Sequence, residues 1–94
     1  MPIVGLRVFD LHIHGTHSLK EKRFVLRSVK DRIMNGFNVS IAETDHQDKW
    51  QRAELSIAAV AGDRAGVEKA LDSVRDLLDG HPELRVIDVF TDIG

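Results

Sequence analysis

Five histidines occur in the chain, and imidazole is the side chain best suited to metal binding and proton transfer near neutral pH. His12 and His14 are two residues apart, so on a strand both project to the same face. Such a pair can chelate a divalent metal if a third ligand completes the shell. The candidates for that ligand are His17, His46 and Asp45. The pair alone is not a specific signal, so we predict no bound metal and no other cofactor, with His12, His14 and His17 as the candidate ligands if one binds.

Cationic residues form a second set of side chains that could bind a ligand. The segment 18–35 has six cations and two acids, a local charge of +4, whereas the whole chain carries −2. At 100° per residue on a helix, four of these cations form one stripe, the basic stripe: Lys20, Arg23, Arg27 and Lys30. Phe24 lies beside it, pointing away from the apolar side, where it can stack on a base or anchor a protein partner. The alternative interpretation is a solvated amphipathic helix with one exposed phenylalanine.

The start of this helix presents a conflict. Free NH groups and the helix dipole favour anions there, yet Lys20, Lys22 and Arg23 crowd the first turn. A bound anion would remove the conflict, so we predict a phosphate-binding corner over residues 15–23, with Lys22 leaning over the end of the sheet. The alternative is a solvated, mildly unfavourable first turn. The residues of the predicted corner are Gly15, His17, Ser18, Lys20, Lys22 and Arg23.

The elements that position these residues follow the order βαββαβ. Apolar alternation and β-branched residues predict strands over 3–13, 37–43, 50–61 and 84–93. Ser18 and Asp63 are the expected N-caps of helices over 18–35 and 63–79, and Gly36 is the expected C-cap of the first. This order predicts a single ferredoxin-like α+β domain over residues 1–94. Its antiparallel sheet has strand order 4-1-3-2 and both helices on one face.

In this topology all five histidines share one edge of the sheet, which we call the histidine rim: His12, His14, His17, His46 and His81. Trp50 and Arg52 are expected to join them. Such a rim can contact a nucleic acid or a protein. Trp50 either stacks on a ligand or covers a corner of the sheet, and we favour the second.

The sheet face without helices is expected to be partly apolar. Because side chains alternate along a strand, residues of the first and third strands share that face. The predicted members of this open face are Val4, Leu6, Val8, Ala58 and Val60. An apolar patch on an uncovered sheet predicts self-association through it.

Three segments resemble a known family. SLKEKR (residues 18–23), FNVSIAE (37–43) and DHQDKWQRAELSIA (45–58) are similar to the YlxP-like family of small bacterial proteins. The resemblance covers nearly the whole chain and implies a ferredoxin-like fold. Genes of this family often lie among those for translation initiation and ribosome maturation, which implies a ribosome or RNA context. No catalytic residues are established for the family, so the resemblance implies none here.

Composition narrows the function classes. The chain has no cysteine, so disulfides and thiolate chemistry are excluded. The N-terminal residues show no secretion signal and no apolar run is long enough to span a bilayer, so we expect a cytoplasmic protein without membrane contact. We predict a small binding module whose partner is ribosomal RNA or a ribosome-associated protein. The alternatives are a phosphate-ester or acyl-phosphate hydrolase, with His17 or His46 as general acid or base, and a purely structural homo-oligomer.

Overall fold

The six predicted elements form in the predicted order. The computed structural model of the protein describes residues 1–94. The elements are β1 Ile3–Ile13, α1 Leu19–Gly36, β2 Ser40–Asp45, β3 Arg52–Ala61, α2 Arg64–Asp79 and β4 Leu84–Ile93. The strands form one antiparallel sheet in the order β2-β3-β1-β4, and α1 and α2 pack against it. This is the predicted ferredoxin-like α+β arrangement.

The core lies between the sheet and the two helices. Alternate residues of the central strands are fully buried, as the period of two requires; Phe9, Leu11 and Ile13 supply them from β1. Each such side chain contributes about 1.5–3 kcal/mol through burial. The buried cluster has 15 members in all, from β1, α1, β3, α2 and the start of β4.

The two helices lie differently on the sheet. α2 packs against β1, β3 and β4, whereas α1 packs against β2 and α2. Gly5 of β1 allows the close approach of α2, because a Cβ there would overlap Val67 Cγ1 and come within 3.3 Å of Leu71 Cδ1. α2 is therefore seated on the centre of the sheet, and α1 lies nearer to its β2 edge.

The predicted ends differ from the structure around α1 and the β2–β3 connection. Gly36 belongs to α1, and Phe37 is the C-cap, with its amide donating to Ile33 O at 3.0 Å. β2 therefore begins three residues later than predicted, at Ser40. Trp50 precedes β3, because the β2–β3 register shifts between Glu43 and Asp45 and regular pairing ends there.

The sheet face opposite the helices is open and partly apolar, as predicted. Val4 and Val60 are paired across β1 and β3 and are more than half exposed. Leu6 and, on β4, Phe90 extend the apolar area. No helix of the protein has the length and hydropathy needed to cross a membrane.

Candidate functional site

The histidine rim forms at one end of the sheet, where three connections meet the end of β1. His14 donates its amide to Glu83 O at 2.8 Å, which ties the β1–α1 turn to the α2–β4 turn. Thr16 Oγ1 donates to Trp50 O at 2.7 Å, which ties the same turn to the β2–β3 connection. Gly15 has a φ of 74°, a left-handed conformation that glycine adopts without steric cost. These bonds hold the rim as one surface.

The imidazoles of the rim contact neighbours in pairs. His14 follows the end of β1, and the ring centroids of His12 and His14 lie 4.7 Å apart, edge to face. The ring of His17 lies 5.9 Å from that of Trp50, which is 40% exposed. The rim offers no metal centre, because no group of three or more histidine, cysteine or acidic side chains is placed to hold an ion.

Arg52 and His46 lie around one carboxylate on the open face. Arg52 Nη2 is 2.9 and 2.7 Å from the two carboxylate oxygens of Asp10. His46 Nε2 lies 4.0 Å from Asp10 Oδ1, so both predicted rim residues are close together. Because Asp10 already neutralises Arg52, this guanidinium contributes little net charge to an anionic ligand.

The first turn of α1, where the phosphate-binding corner is predicted, does not lack an anion of its own. Ser18 Oγ accepts a hydrogen bond from the Glu21 amide at 3.1 Å, so Ser18 is the N-cap as predicted. The Glu21 carboxylate in turn accepts from the amide of His17 at 2.5 Å. The anion at this helix start is therefore the protein's own glutamate, which repels an incoming phosphate.

Lys22 does not lean towards that corner either. Its side chain is 2% exposed and points away from the first turn, to the β2–β3 connection. There Nζ lies 2.9 Å from Glu43 Oε2 and donates to His46 O at 2.6 Å. His46 has a φ of 64°, and the bond from Lys22 to its carbonyl fixes this left-handed conformation. Lys22 is thus a structural cation that fastens α1 to the hairpin.

The basic stripe forms on the outer side of α1. Its side chains make no ion pair and no hydrogen bond within the protein, and all except the half-buried Lys30 are exposed. Phe24 is 79% exposed and lies on the same outer side, as predicted. The stripe therefore presents full positive charge beside an accessible aromatic ring.

Several depressions lie along α1, two of them beside the predicted site residues. On the β2 side, a groove of about 330 Å³ is lined by Arg23, Arg27 and Lys30 together with Leu26 and Met34. On the other side, a cleft of about 620 Å³ lies between the start of α1 and the α2–β4 turn. Phe24 and Lys20 border this cleft, so the basic stripe and the rim meet at its mouth.

Some residues of this site have no clear signal in the sequence. Thr16 is 2% exposed and connects two turns, yet a threonine in a polar loop gives no such indication. Ser28 and Glu83 line the cleft, and only the tertiary packing of α1 beside the α2–β4 turn places them there. Ser28 is four residues after Phe24 on a helix, so the helical period could have indicated that the two share a face.

A ferredoxin-like fold whose first helix is cationic and whose rim is rich in histidine defines a small α+β protein with a polar contact surface. Residues 4–91 match the family described as "Protein of unknown function (DUF503)", so the chain belongs to this family. It is 43% identical over 82 residues to "Uncharacterized protein YlxP" of Bacillus subtilis (strain 168). The alignment covers 87% of this chain and 89% of that relative. The resemblance predicted from the three segments is confirmed.

Proposed function

We propose that this protein is a binding module that contacts ribosomal RNA through the basic stripe and the adjoining histidine rim. The observation that carries the proposal is the absence of ion pairs along the stripe. Arg27 and Asp31 are one helical turn apart and could pair, yet Arg27 forms no such pair. Unpaired cations are the groups that bind phosphates by releasing counterions, and they do so without rearranging the protein.

The geometry suits an extended nucleic-acid strand. The stripe runs from Lys20 to Lys30, which on an α-helix spans about 15 Å. Phe24 lies within that length and offers an exposed ring for stacking with an unpaired base. Phosphate contacts together with base stacking are the usual means of binding single-stranded RNA. The family's association with translation genes supports ribosomal RNA as the source of the strand.

Charge reversal on the two helices tests the proposal. Joint replacement of Lys20, Arg23 and Arg27 by Glu should lower affinity for ribosomal subunits on the order of a hundredfold or more. Each phosphate contact contributes to affinity whatever the base sequence, so each contact that is lost weakens the complex. The matched control replaces Arg64, Lys69 and Arg75 of α2 by Glu and changes the net charge equally. For the unaltered protein, the logarithm of affinity should fall with the logarithm of salt concentration with a slope of roughly −3 for four single-strand phosphate contacts.

Co-sedimentation with purified subunits and fluorescence anisotropy with an RNA oligonucleotide are the measurements. Equal losses of affinity in the α1 and α2 variants would contradict a specific binding surface and show that binding depends only on net charge. Unchanged binding by the α1 variant would overturn the proposal. Binding to subunits that is lost in the α1 variant, without any binding to RNA alone, would identify a ribosome-associated protein as the partner instead.

We also propose that the open face joins two copies of the chain. Val4, Val60 and Phe90 form an exposed apolar area, and a second copy supplies the same area in return. On β4 the same face carries Arg85, unpaired, near one end and Asp92 near the other. A two-fold contact that reverses the strand direction brings Arg85 of one copy towards Asp92 of the other.

Sedimentation velocity tests the two-copy assembly. The unaltered protein should sediment as a dimer as its concentration rises, and Val60→Asp should keep it monomeric, because each dimer would bury two added carboxylates. Ala65→Asp, on the exposed start of α2, is the matched control and should dimerise normally. A monomer at every concentration would exclude the assembly. The hydrolase alternative stays a prediction.

A further inference from the structure

The cleft between α1 and the α2–β4 turn has walls of distinct chemistry. Phe24 and Val25 give it an apolar side, and the hydroxyls of Ser18 and Ser28 lie along the same helix. Its volume of about 620 Å³ falls in the range of small-molecule sites. The cleft is therefore large enough for a nucleobase with part of its ribose.

The turn side of the cleft supplies a donor and a charged acceptor. His81 Nδ1 accepts a hydrogen bond from the amide of Glu83 at 3.1 Å, so the proton of the neutral ring lies on Nε2. The Glu83 carboxylate forms no hydrogen bond and no ion pair within the protein, and both residues line the cleft. A ligand here meets an N–H donor next to a carboxylate that can accept two hydrogen bonds.

This chemistry does not suit a phosphate inside the cleft. Glu21 and Glu83 line it against one cation, Lys20, so the lining is net negative and repels a phosphate group. The cations that attract phosphates, Arg23, Arg27 and Lys30, line the separate groove on the β2 side of α1. Phe24 borders both the cleft and a further depression of α1, and Arg27 lines that depression as well as the groove. A strand with its phosphates on the stripe can therefore turn a base over Phe24 into the cleft.

We infer that the cleft binds a guanine base of the RNA strand that contacts the basic stripe, an inference that rests on the proposed function. Guanine presents two adjacent donors, N1–H and the N2 amino group, and both can reach the two oxygens of one carboxylate, Glu83. Its O6 accepts from His81 Nε2–H, and its ring stacks on Phe24. Adenine and cytosine offer one amino group on this edge, and uracil offers one ring N–H, so none of them satisfies the carboxylate in the same bidentate way.

Binding of matched oligonucleotides tests the inference. A strand with one guanine in a uridine background should bind about tenfold to a hundredfold more tightly than the same strand with adenine, the usual discrimination of a bidentate contact. Glu83→Gln should abolish this preference while keeping the weaker binding to both strands. Asp76→Asn, another exposed carboxylate, on α2 outside the cleft, is the matched control and should keep the preference. Phe24→Ala should weaken the binding of both oligonucleotides, whereas Phe90→Ala on the open face should weaken the binding of neither.

A second measurement separates this inference from the proposed function. Guanosine monophosphate, added without RNA, should shift the amide NMR signals of Ser28, His81 and Glu83, and adenosine monophosphate should shift them much less. Equal binding of the guanine and adenine strands, both lost on charge reversal of α1, would overturn the guanine inference and leave the RNA proposal standing. Selective shifts with guanosine monophosphate, but no binding to any RNA, would support the cleft and overturn the RNA proposal. If guanosine monophosphate causes no NMR shifts and the guanine strand is not preferred, the proposed guanine binding in the cleft is overturned.

Discussion

The two helices carry their cations in different ways. On α2, Arg64 pairs with Glu68 and Arg75 pairs with Asp79, each partner one turn away. On α1 the single paired cation is the buried Lys22, and the exposed ones have no partner. In the first pattern α2 neutralises two of its three cations within the helix, and Lys69 has no partner. Nothing in the packing requires the second, so the exposed charge of α1 is available for a ligand.

The difference extends to how each helix begins. Asp63 caps α2 with a carboxylate that accepts from the Gly66 amide at 2.8 Å, and negative charge suits the positive end of the helix dipole. α1 begins with Ser18 and one acid, Glu21, among three cations: Lys20, Lys22 and Arg23. Lys22 is explained by its buried contacts. Lys20 and Arg23 have no such explanation in the fold.

The largest expected effect on stability comes from replacing Lys22, the one cation of α1 that stabilises the fold. Lys22→Ala should lower the free energy of unfolding by about 3 kcal/mol, because it leaves the Glu43 carboxylate, which is 19% exposed, without its partner. The His46 carbonyl also loses one of its two donors and keeps the Lys49 amide at 3.0 Å. Thermal unfolding should show a drop of roughly 12–24 °C for a domain of this size.

Arg75→Ala is the matched control on α2. Its surface pair is worth about 0.5 kcal/mol or less, so the melting temperature should change by only a few degrees. The double replacement of Lys22 by Met and Glu43 by Leu should recover most of the loss, since no buried charge remains. A cost below about 1 kcal/mol for Lys22→Ala would show that the buried pair does not fasten α1 to the hairpin.

A smaller effect is expected where α2 meets the centre of the sheet. Gly5→Ala should destabilise the protein by about 2 kcal/mol, because the new methyl group collides with Val67 and forces α2 away from β1. Gly62→Ala is the control, since nothing lies within 4 Å of its Cβ position. Denaturant unfolding measures both. RNA binding by α1 should survive Gly5→Ala in the folded protein, and a parallel loss would show that the two helices are not independent.

Much of this fold could be predicted from local patterns in the sequence. The period of two predicted the strand β3, and its alternate residues Ala53, Leu55 and Ile57 are buried, because a half-buried strand leaves that pattern. Both N-caps, Ser18 and Asp63, were correct, because capping depends on residues within one turn. The end of α1 was wrong by one residue, since Phe37 caps the helix without the left-handed glycine that the pattern predicts.

The site was less predictable, because it depends on contacts between distant parts of the chain. The sequence predicted that Lys22 leans over the end of the sheet, yet it could not show that Glu43 would be its partner. It could not show that Glu21 would supply an anion at the start of α1, where phosphate binding stays a prediction. The cleft residue Glu83 is 55 positions or more from every α1 residue that lines the cleft with it, a distance that no periodicity spans.

The smallest expected effect distinguishes the cations of α1 from those of α2 most clearly, because stability and RNA affinity should change in opposite directions. Lys20 is in the first turn of α1, and Lys20→Glu replaces an unfavourable charge near the helix dipole with a favourable one. The free energy of unfolding should rise by about 0.5–1 kcal/mol at low salt, a gain of roughly 2–8 °C in melting temperature. RNA affinity should fall by about tenfold, because one phosphate contact becomes repulsive.

Lys69→Glu, in the interior of α2, is the matched control for that change. It alters the net charge equally but lies away from the helix ends, so neither stability nor RNA affinity should change much. Higher stability with weaker binding in Lys20→Glu would mean that the cations of α1 destabilise the helix and serve to bind an anionic ligand. Lower stability, or RNA affinity equal to that of the unaltered protein, would instead make the stripe an ordinary solvated surface like that of α2.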